Sequence, residues 1–137
     1  MHAAAFISRR EIILEKALVR NAGTFRLILV HELFHFVWAR LGNASRAGFA
    51  DLVSAELKIG AKGEIGESAA VKKAALRLKD PGLRSRRWRD YVCESFCDTA
   101  AWLYSGTELH AEFRLAKRWR ELRRGWFAAT FKDPRNC

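Results

Sequence analysis

The chain has 137 residues, of which 25 are Lys or Arg and 15 are Asp or Glu, so its formal net charge is +10. This length predicts a single domain over 1–137 with a sizeable core, and a hydrophobic content of 50% excludes an intrinsically disordered chain. No apolar run reaches the ~18 residues of a membrane span, and the first residues lack the charge order of a secretion signal.

The first elements predicted along the chain are a short strand and a long helix. Residues 6–14 are the best strand candidate because of their β-branched side chains, although residues 11–19 could equally begin a helix. Gly23 ends this segment, and Thr24 is a suitable N-cap for a helix over 25–41, which Gly42 and Asn43 end. Its expected buried stripe is Leu27, Ile28, His31, Phe34, His35, Trp38 and Leu41.

Further helices are predicted over 46–59, 67–79, 86–105 and 108–131. The glycine-rich residues 60–66 lack the phosphate-loop pattern and are interpreted as a connector, and the sequence Asp-Pro-Gly at 80–82 predicts a turn. In the last helix a stripe is expected to face the core, formed by Leu109, Phe113, Ala116, Trp119, Leu122 and Trp126. The basic residues Lys117, Arg118, Arg120, Arg123 and Arg124 are expected mostly on the opposite side. Together these elements predict a predominantly helical α+β fold with a small N-terminal strand region.

An H-E-x-x-H pattern stands in the middle of the long apolar helix, from His31 to His35. Residues i and i+4 lie on one face of a helix, so these two histidines can offer imidazole nitrogens to one zinc ion. Glu32 lies about 100° further round the helix and can reach a zinc-bound water without ligating the metal, which suits a general base. The alternative is a pair of core histidines satisfied by backbone or carboxylate groups.

A catalytic zinc site needs a third protein ligand, and the sequence has one candidate on a second helix. The third histidine of the extended H-E-x-x-H-x-x-G-x-x-H motif is missing. Glu94 shares a face with Asp98 on a largely apolar helix, where a carboxylate needs a partner. Asp98 would then accept the free ring N–H of a zinc-bound histidine. The alternative is an ion pair of Glu94 with Arg87 or Arg89.

These two blocks resemble the gluzincin zinc peptidases, in which H-E-x-x-H is followed by a downstream E-x-x-x-D. Residues 25–35, FRLILVHELFH, look like the active-site segment of the ImmA/IrrE-type peptidases, and residues 94–103 resemble their E-x-x-A-[ND]-x-F-A-x-x-L helix. The resemblance implies a minimal zincin-like fold around an active-site helix. It also implies His31, His35 and Glu94 as zinc ligands, Glu32 as the base and Asp98 as a supporting residue behind the ligands.

Three positions depart from the pattern of that family. Phe34 stands where a glycine or alanine lets the two site helices approach, so it must push them apart or find a pocket. Cys93 replaces an asparagine, and Cys97 stands where a small residue is usual. We interpret Cys97 as a small buried hydrophobe, with a redox-sensitive thiol or an alternative metal ligand as the other readings.

The function expected from these residues is that of a zinc-dependent metalloendopeptidase acting on a protein or peptide substrate. Tyr91 is the first candidate to stabilise the oxyanion because it lies a turn before Glu94, and Tyr104 and His110 follow. The alternative is a catalytically weak or inactive basic module that keeps zinc and binds nucleic acid, a repressor or another acidic partner. Three cysteines indicate no disulfide framework, so a cytoplasmic location is expected.

Overall fold

The computed structural model describes residues 3–6, 11–14, 22–106 and 115–132. This part of the chain is predominantly helical, as the sequence predicts. None of the helices within it is long and apolar enough to cross a membrane. The helices are α1 (Ala22–Arg40), α2 (Asn43–Lys58), α3 (Glu67–Ala74), α4 (Asp80–Leu83), α5 (Arg86–Tyr104) and α6 (Lys117–Thr130).

Two short strands precede the helices. They are β1 (Ala3–Phe6) and β2 (Glu11–Leu14), and they pair antiparallel with Ala3 opposite Leu14 and Phe6 opposite Glu11. Residues 7–10, in the middle of the strand predicted over 6–14, lie outside the described residues. The single strand predicted over 6–14 therefore stays a prediction.

The helix that carries the H-E-x-x-H pattern begins earlier than predicted. It starts at Ala22, so Gly23 and Thr24 lie in its first turn and Thr24 is not its N-cap. Gly42 follows its C-terminus and is at the same time the N-cap of α2. The Arg46 guanidinium donates to the carbonyl of Trp38 at 3.0 Å, which satisfies one of the carbonyl groups left free at the end of α1.

Helices α1 and α5 pack against each other in antiparallel fashion. Arg26, near the start of α1, donates to the carbonyl of Ser105 at the end of α5, at 3.2 Å. One turn and a half later on α1, His31 contacts Asp98. Helix α5 begins after the N-cap residue Ser85, whose hydroxyl accepts a hydrogen bond from the backbone N–H of Trp88. The antiparallel arrangement brings the motif turn of α1 against the middle of α5.

The core is an aromatic cluster around Phe96, a fully buried residue of α5. Its ring centroid lies 4.8 Å from that of Trp38 and 5.1 Å from that of Phe127. Phe34 joins this cluster through Phe96 and stacks on Tyr104 with 5.4 Å between centroids. The Phe34 side chain thus packs in an aromatic pocket. As a result, α1 and α5 still approach closely enough for their polar side chains to contact each other.

Other element boundaries also differ from the sequence prediction. Helix α3 ends at Ala74 rather than 79, and the turn predicted at 80–82 is the short helix α4. Helix α6 begins only at Lys117, because Ala116 has the extended backbone of an N-cap. Residues 107–114, where the predicted helix would begin, lie outside the described residues.

The prediction that Arg123 lies on the solvent side of α6 is wrong. Its side chain is fully buried, not on the solvent side of α6. The guanidinium donates to both carboxylate oxygens of Glu56 on α2, at 2.9 and 2.6 Å, and to both of Glu64, at 2.9 Å each. The Thr99 hydroxyl accepts a further bond at 3.2 Å. Together with Tyr91, these residues form what we call the Arg123 cluster.

Candidate metal centre

The two histidines of the motif and Glu94 meet between α1 and α5. The imidazole centroids of His31 and His35 lie 5.1 Å apart. One carboxylate faces both rings: Glu94 Oε2 is 2.9 Å from His31 Nε2, and Oε1 is 3.4 Å from His35 Nε2. Two ligands of a tetrahedral zinc ion are separated by about 3.3 Å, given zinc–nitrogen and zinc–oxygen bonds of ~2.0–2.2 Å. The spacing of these atoms therefore matches a shared metal ion.

Asp98 determines how the His31 ring is oriented. Its Oδ1 lies 2.7 Å from His31 Nδ1, which assigns the Nδ1 proton to this hydrogen bond. In the neutral ring, Nε2 then presents its lone pair to the Glu94 carboxylate, which also carries only lone pairs. Two such groups at 2.9 Å need a cation between them, either a proton or a metal ion.

The pKa values of these residues also indicate a cation between them. Burial alone lowers the pKa of His31, but the Asp98 and Glu94 carboxylates outweigh it and raise that pKa to about 9. Burial likewise lowers the pKa of His35, and contacts with Cys93 and Glu94 raise it to about 10. Burial raises the pKa of Glu94, and the two imidazoles lower it to about 2. The carboxylate is thus held ionised between two groups that attract a cation.

The chemistry of the donor atoms also fits a metal ion. Glu94 Oε2 is buried and receives no aligned hydrogen bond, although His31 Nε2 is close to it. Buried polar atoms are normally satisfied, so such an atom calls for a partner. Two imidazoles and a carboxylate are a donor set that zinc takes in catalytic sites. Within the described residues, neither Arg87 nor Arg89 pairs with Glu94, in contrast to the alternative considered from the sequence.

Glu32 follows His31 on α1 and is itself buried, with 8% of its surface exposed. Its carboxylate makes no hydrogen bond or ion pair within the described part of the chain. A carboxylate on the helix that carries both imidazoles, without a partner among the described residues, is able to accept and release a proton.

The structure assigns Gly66 a role that the sequence did not reveal. Gly66 is the N-cap of α3 and has no side chain to cap it, and Asp98 Oδ2 accepts the hydrogen bond of the Ala69 N–H instead, at 2.8 Å. A Cβ atom at Gly66 would lie 2.5 Å from that same oxygen. Asp98 thus binds His31 and caps α3 at once, and only glycine leaves room for it. The available signal was a glycine placed immediately before a predicted helix.

The two cysteines of α5 lie next to the candidate centre. Cys93 Sγ is 3.5 Å from His35 Nδ1, on the side of the ring opposite to the nitrogen that faces Glu94. Cys97 is fully buried, and one ligand atom from each of Cys97, His31 and His35 lie within 4.8 Å of one another. Glu94 approaches the two imidazoles through different oxygens, at 2.9 and 3.4 Å, so its carboxylate and the Cys97 thiol are both candidates for the third donor.

Tyr91 is not brought to the imidazole pair, which corrects its expected role in oxyanion stabilisation. Its side chain is fully buried, and its hydroxyl donates to Glu64 Oε2 at 2.5 Å. Burial and the negative charge of Glu64 raise the pKa of Tyr91. Its proton is therefore committed to the Arg123 cluster. Of the other two candidates, Tyr104 is half-exposed and stacks on Phe34, and His110 lies outside the described residues.

Comparisons with known proteins find no match: no protein-family model, no curated protein and no solved structure is significantly similar to this chain. The resemblance to gluzincin peptidases therefore rests on the two sequence blocks and stays a prediction.

Proposed function

We propose that this chain is a zinc-dependent metalloendopeptidase with a minimal zincin-like fold. In this proposal His31, His35 and Glu94 hold the metal, and Glu32 is the general base. The observation that carries it is the Glu94 carboxylate, which lies 2.9 and 3.4 Å from the two imidazole Nε2 atoms. Its buried Oε2, without an aligned hydrogen bond, supports a metal ion as the missing partner.

The residues of the chain have distinct tasks in such a reaction. A zinc ion bound there would acidify a water molecule and polarise a peptide carbonyl. Asp98 keeps the His31 proton on Nδ1, so that Nε2 is free to bind metal. Glu32 accepts the proton of the attacking water and delivers it to the leaving amine.

The test measures metal content and peptide cleavage on the same purified protein. We expect about one zinc per chain in the wild type and its loss in Glu94→Ala and His35→Ala. Glu32→Gln should retain zinc and abolish cleavage of an unstructured protein such as casein. Glu121→Gln is the matched control, since this half-exposed glutamate of α6 pairs only with Arg124. Cleavage that survives in Glu32→Gln would refute the proposed chemistry.

A second candidate function is supported by the exposed basic face of α6. Arg124 lies 4.7 Å from the ring centroid of Trp102, and Arg118 lies 4.6 Å from that of Trp119. Arginines next to aromatic rings on a protein with a net charge of +10 suit an acidic partner, such as nucleic acid or a repressor bound to it. Binding to DNA that weakens steeply with salt and is reduced in Arg118→Gln/Arg124→Gln would favour this function.

The proposed place of action is the cytoplasm. Cys93 and Cys97 are free thiols within the described residues, and their buried or half-buried position suits a reducing compartment.

A further inference from the structure

Cys97 is the group nearest to the candidate centre that the proposed peptidase mechanism does not use. It lies three residues after Glu94 on α5, and its side chain is fully buried. Its sulfur and the ligand atoms of His31 and His35 lie within 4.8 Å of one another. The neighbouring thiol of Cys93 is differently engaged, since its sulfur lies 3.5 Å from His35 Nδ1. The two cysteines therefore offer a test residue and a matched control on one helix.

The Cys97 sulfur is close enough to one nitrogen of each histidine to be a ligand of a metal ion that they hold, since these three atoms lie within 4.8 Å of one another. A zinc–sulfur bond of ~2.3 Å and a zinc–nitrogen bond of ~2.0–2.1 Å separate the two ligand atoms by about 3.5 Å. The three atoms would therefore draw closer together when they bind a metal ion. Two imidazoles and the Glu94 carboxylate leave one position of a tetrahedral site to be filled.

We propose that Cys97 is a fourth, displaceable ligand, which closes the metal site until a stronger donor takes its place. On binding, the S–H bond breaks, the sulfur donates an electron pair to the metal, and the proton passes to solvent. Displacement reverses these steps and returns a proton to the sulfur. A thiolate donor also makes the site prefer Zn²⁺, Co²⁺ or Cd²⁺ over Mg²⁺ or Mn²⁺. This inference rests on the metal centre of the proposed function, but not on peptidase activity.

The experiment is a Co²⁺ titration of the full-length protein followed by absorption spectroscopy. Visible d–d bands report tetrahedral cobalt whatever its ligands, and a near-ultraviolet charge-transfer band reports a cobalt–thiolate bond. We expect both sets of bands in the wild type. Cys97→Ser should keep the visible bands and lose the charge-transfer band, and Cys93→Ser should keep both. Adding acetohydroxamate to the wild-type cobalt protein should remove the charge-transfer band.

The outcomes separate this inference from the function on which it rests. Visible bands without a charge-transfer band in the wild type would overturn the role of Cys97 and leave the metal centre intact. Loss of the band in Cys93→Ser instead of Cys97→Ser would also overturn it. A protein that binds neither cobalt nor zinc would overturn the proposed function as well. If Cys97→Ser does not fold, Cys97→Ala and the acetohydroxamate titration of the wild type decide the question.

Discussion

Two buried polar clusters adjoin helix α5, and they differ in whether their hydrogen bonds are complete. In the Arg123 cluster, the guanidinium donates to all carboxylate oxygens of Glu56 and Glu64 at 2.6–2.9 Å. In the candidate metal centre, Glu94 Oε2 is buried beside His31 and has no aligned hydrogen bond. Both clusters hold buried charges, but the first is satisfied by its own side chains and the second is complete only with a proton or a metal ion between His31 and Glu94.

Under the proposed function, this difference separates a cluster that serves stability from one that binds a metal ion. Buried ions are retained where partners satisfy them, and a satisfied ion pair has no need of a ligand. Burial and charge alone would have marked both clusters as candidate sites. In the candidate metal centre, Asp98 holds the His31 proton on Nδ1, so the lone pair of His31 Nε2 faces those of the Glu94 carboxylate. This arrangement distinguishes the candidate metal centre from the Arg123 cluster.

Acidification should first release zinc from the candidate metal centre and then disrupt the Arg123 cluster. Imidazoles bind metal only when neutral, and the pKa is raised to about 9 for His31 and about 10 for His35, so protons already compete with zinc at neutral pH and zinc should leave first. Burial raises the pKa of Glu64, but Arg123 outweighs it and lowers that pKa below its usual value. A lowered folded-state pKa stabilises the fold above the unfolded value of about 4.3 and this contribution is lost as the pH falls through the lowered value. Unfolding should therefore follow zinc release, below about pH 4.

Metal analysis after dialysis and near-ultraviolet circular dichroism measure these two events on one series of samples. Coincident loss of zinc and of tertiary structure above pH 5 would mean that the Arg123 cluster does not resist acid as its hydrogen bonds predict.

Arg123→Met should reduce the free energy of unfolding by about 3–5 kcal/mol, because it leaves two buried carboxylates without a partner. Urea denaturation of the metal-free protein measures this change. Arg124→Met is the control on the same helix, since Arg124 is half-exposed and its ion pair with Glu121 is a surface contact. That variant should lose less than about 1 kcal/mol. Equal stability of the two variants would contradict the structural role of the Arg123 cluster.

The sequence was sufficient to predict the two helices and the three side chains that meet between them, His31, His35 and Glu94, because this information is local. The spacing of His31 and His35 defines one helix face, and α5 ends at Tyr104, within one residue of its predicted end. The apolar surroundings of Glu94 indicated that its carboxylate needs a partner. The approach of α1 to α5 is not local information, and it is seen in the fold.

The Arg123 cluster could not be predicted, because it depends on residues far apart in the chain. Amphipathic patterning assigns an arginine among other basic residues to the solvent side, and Arg123 is 67 and 59 residues from its two partners. A signal was present on α2, where Glu56 falls at helical spacing after Phe49 and Val53 and is buried with them. Tyr91 was assigned to the metal centre from its place on α5, but Glu64 accepts its proton.

Gly66→Ala tests how strongly the surroundings of the metal centre matter. The added Cβ would displace the Asp98 carboxylate and so release the His31 ring. Loss of such a supporting contact weakens metal affinity by about 10–100-fold. Competition with a zinc-binding dye measures the affinity, and Gly82→Ala is the control because a Cβ there meets nothing within 4 Å. Unchanged affinity in a folded Gly66→Ala protein would show that Asp98 does not support the centre.

The smallest effect is expected at Thr99, at the edge of the Arg123 cluster. Its hydroxyl donates to the carbonyl of Ser95 at 2.7 Å and accepts one bond from Arg123, whose other nitrogens already reach carboxylates. Thr99→Val keeps the shape and removes only the hydroxyl, so it should cost about 1 kcal/mol in urea denaturation. Thr99→Ser keeps the hydroxyl and removes a buried methyl group, which gives a matched comparison. A loss above about 3 kcal/mol in Thr99→Val would mean that the carboxylates alone do not satisfy Arg123, and the contrast between the two clusters would weaken.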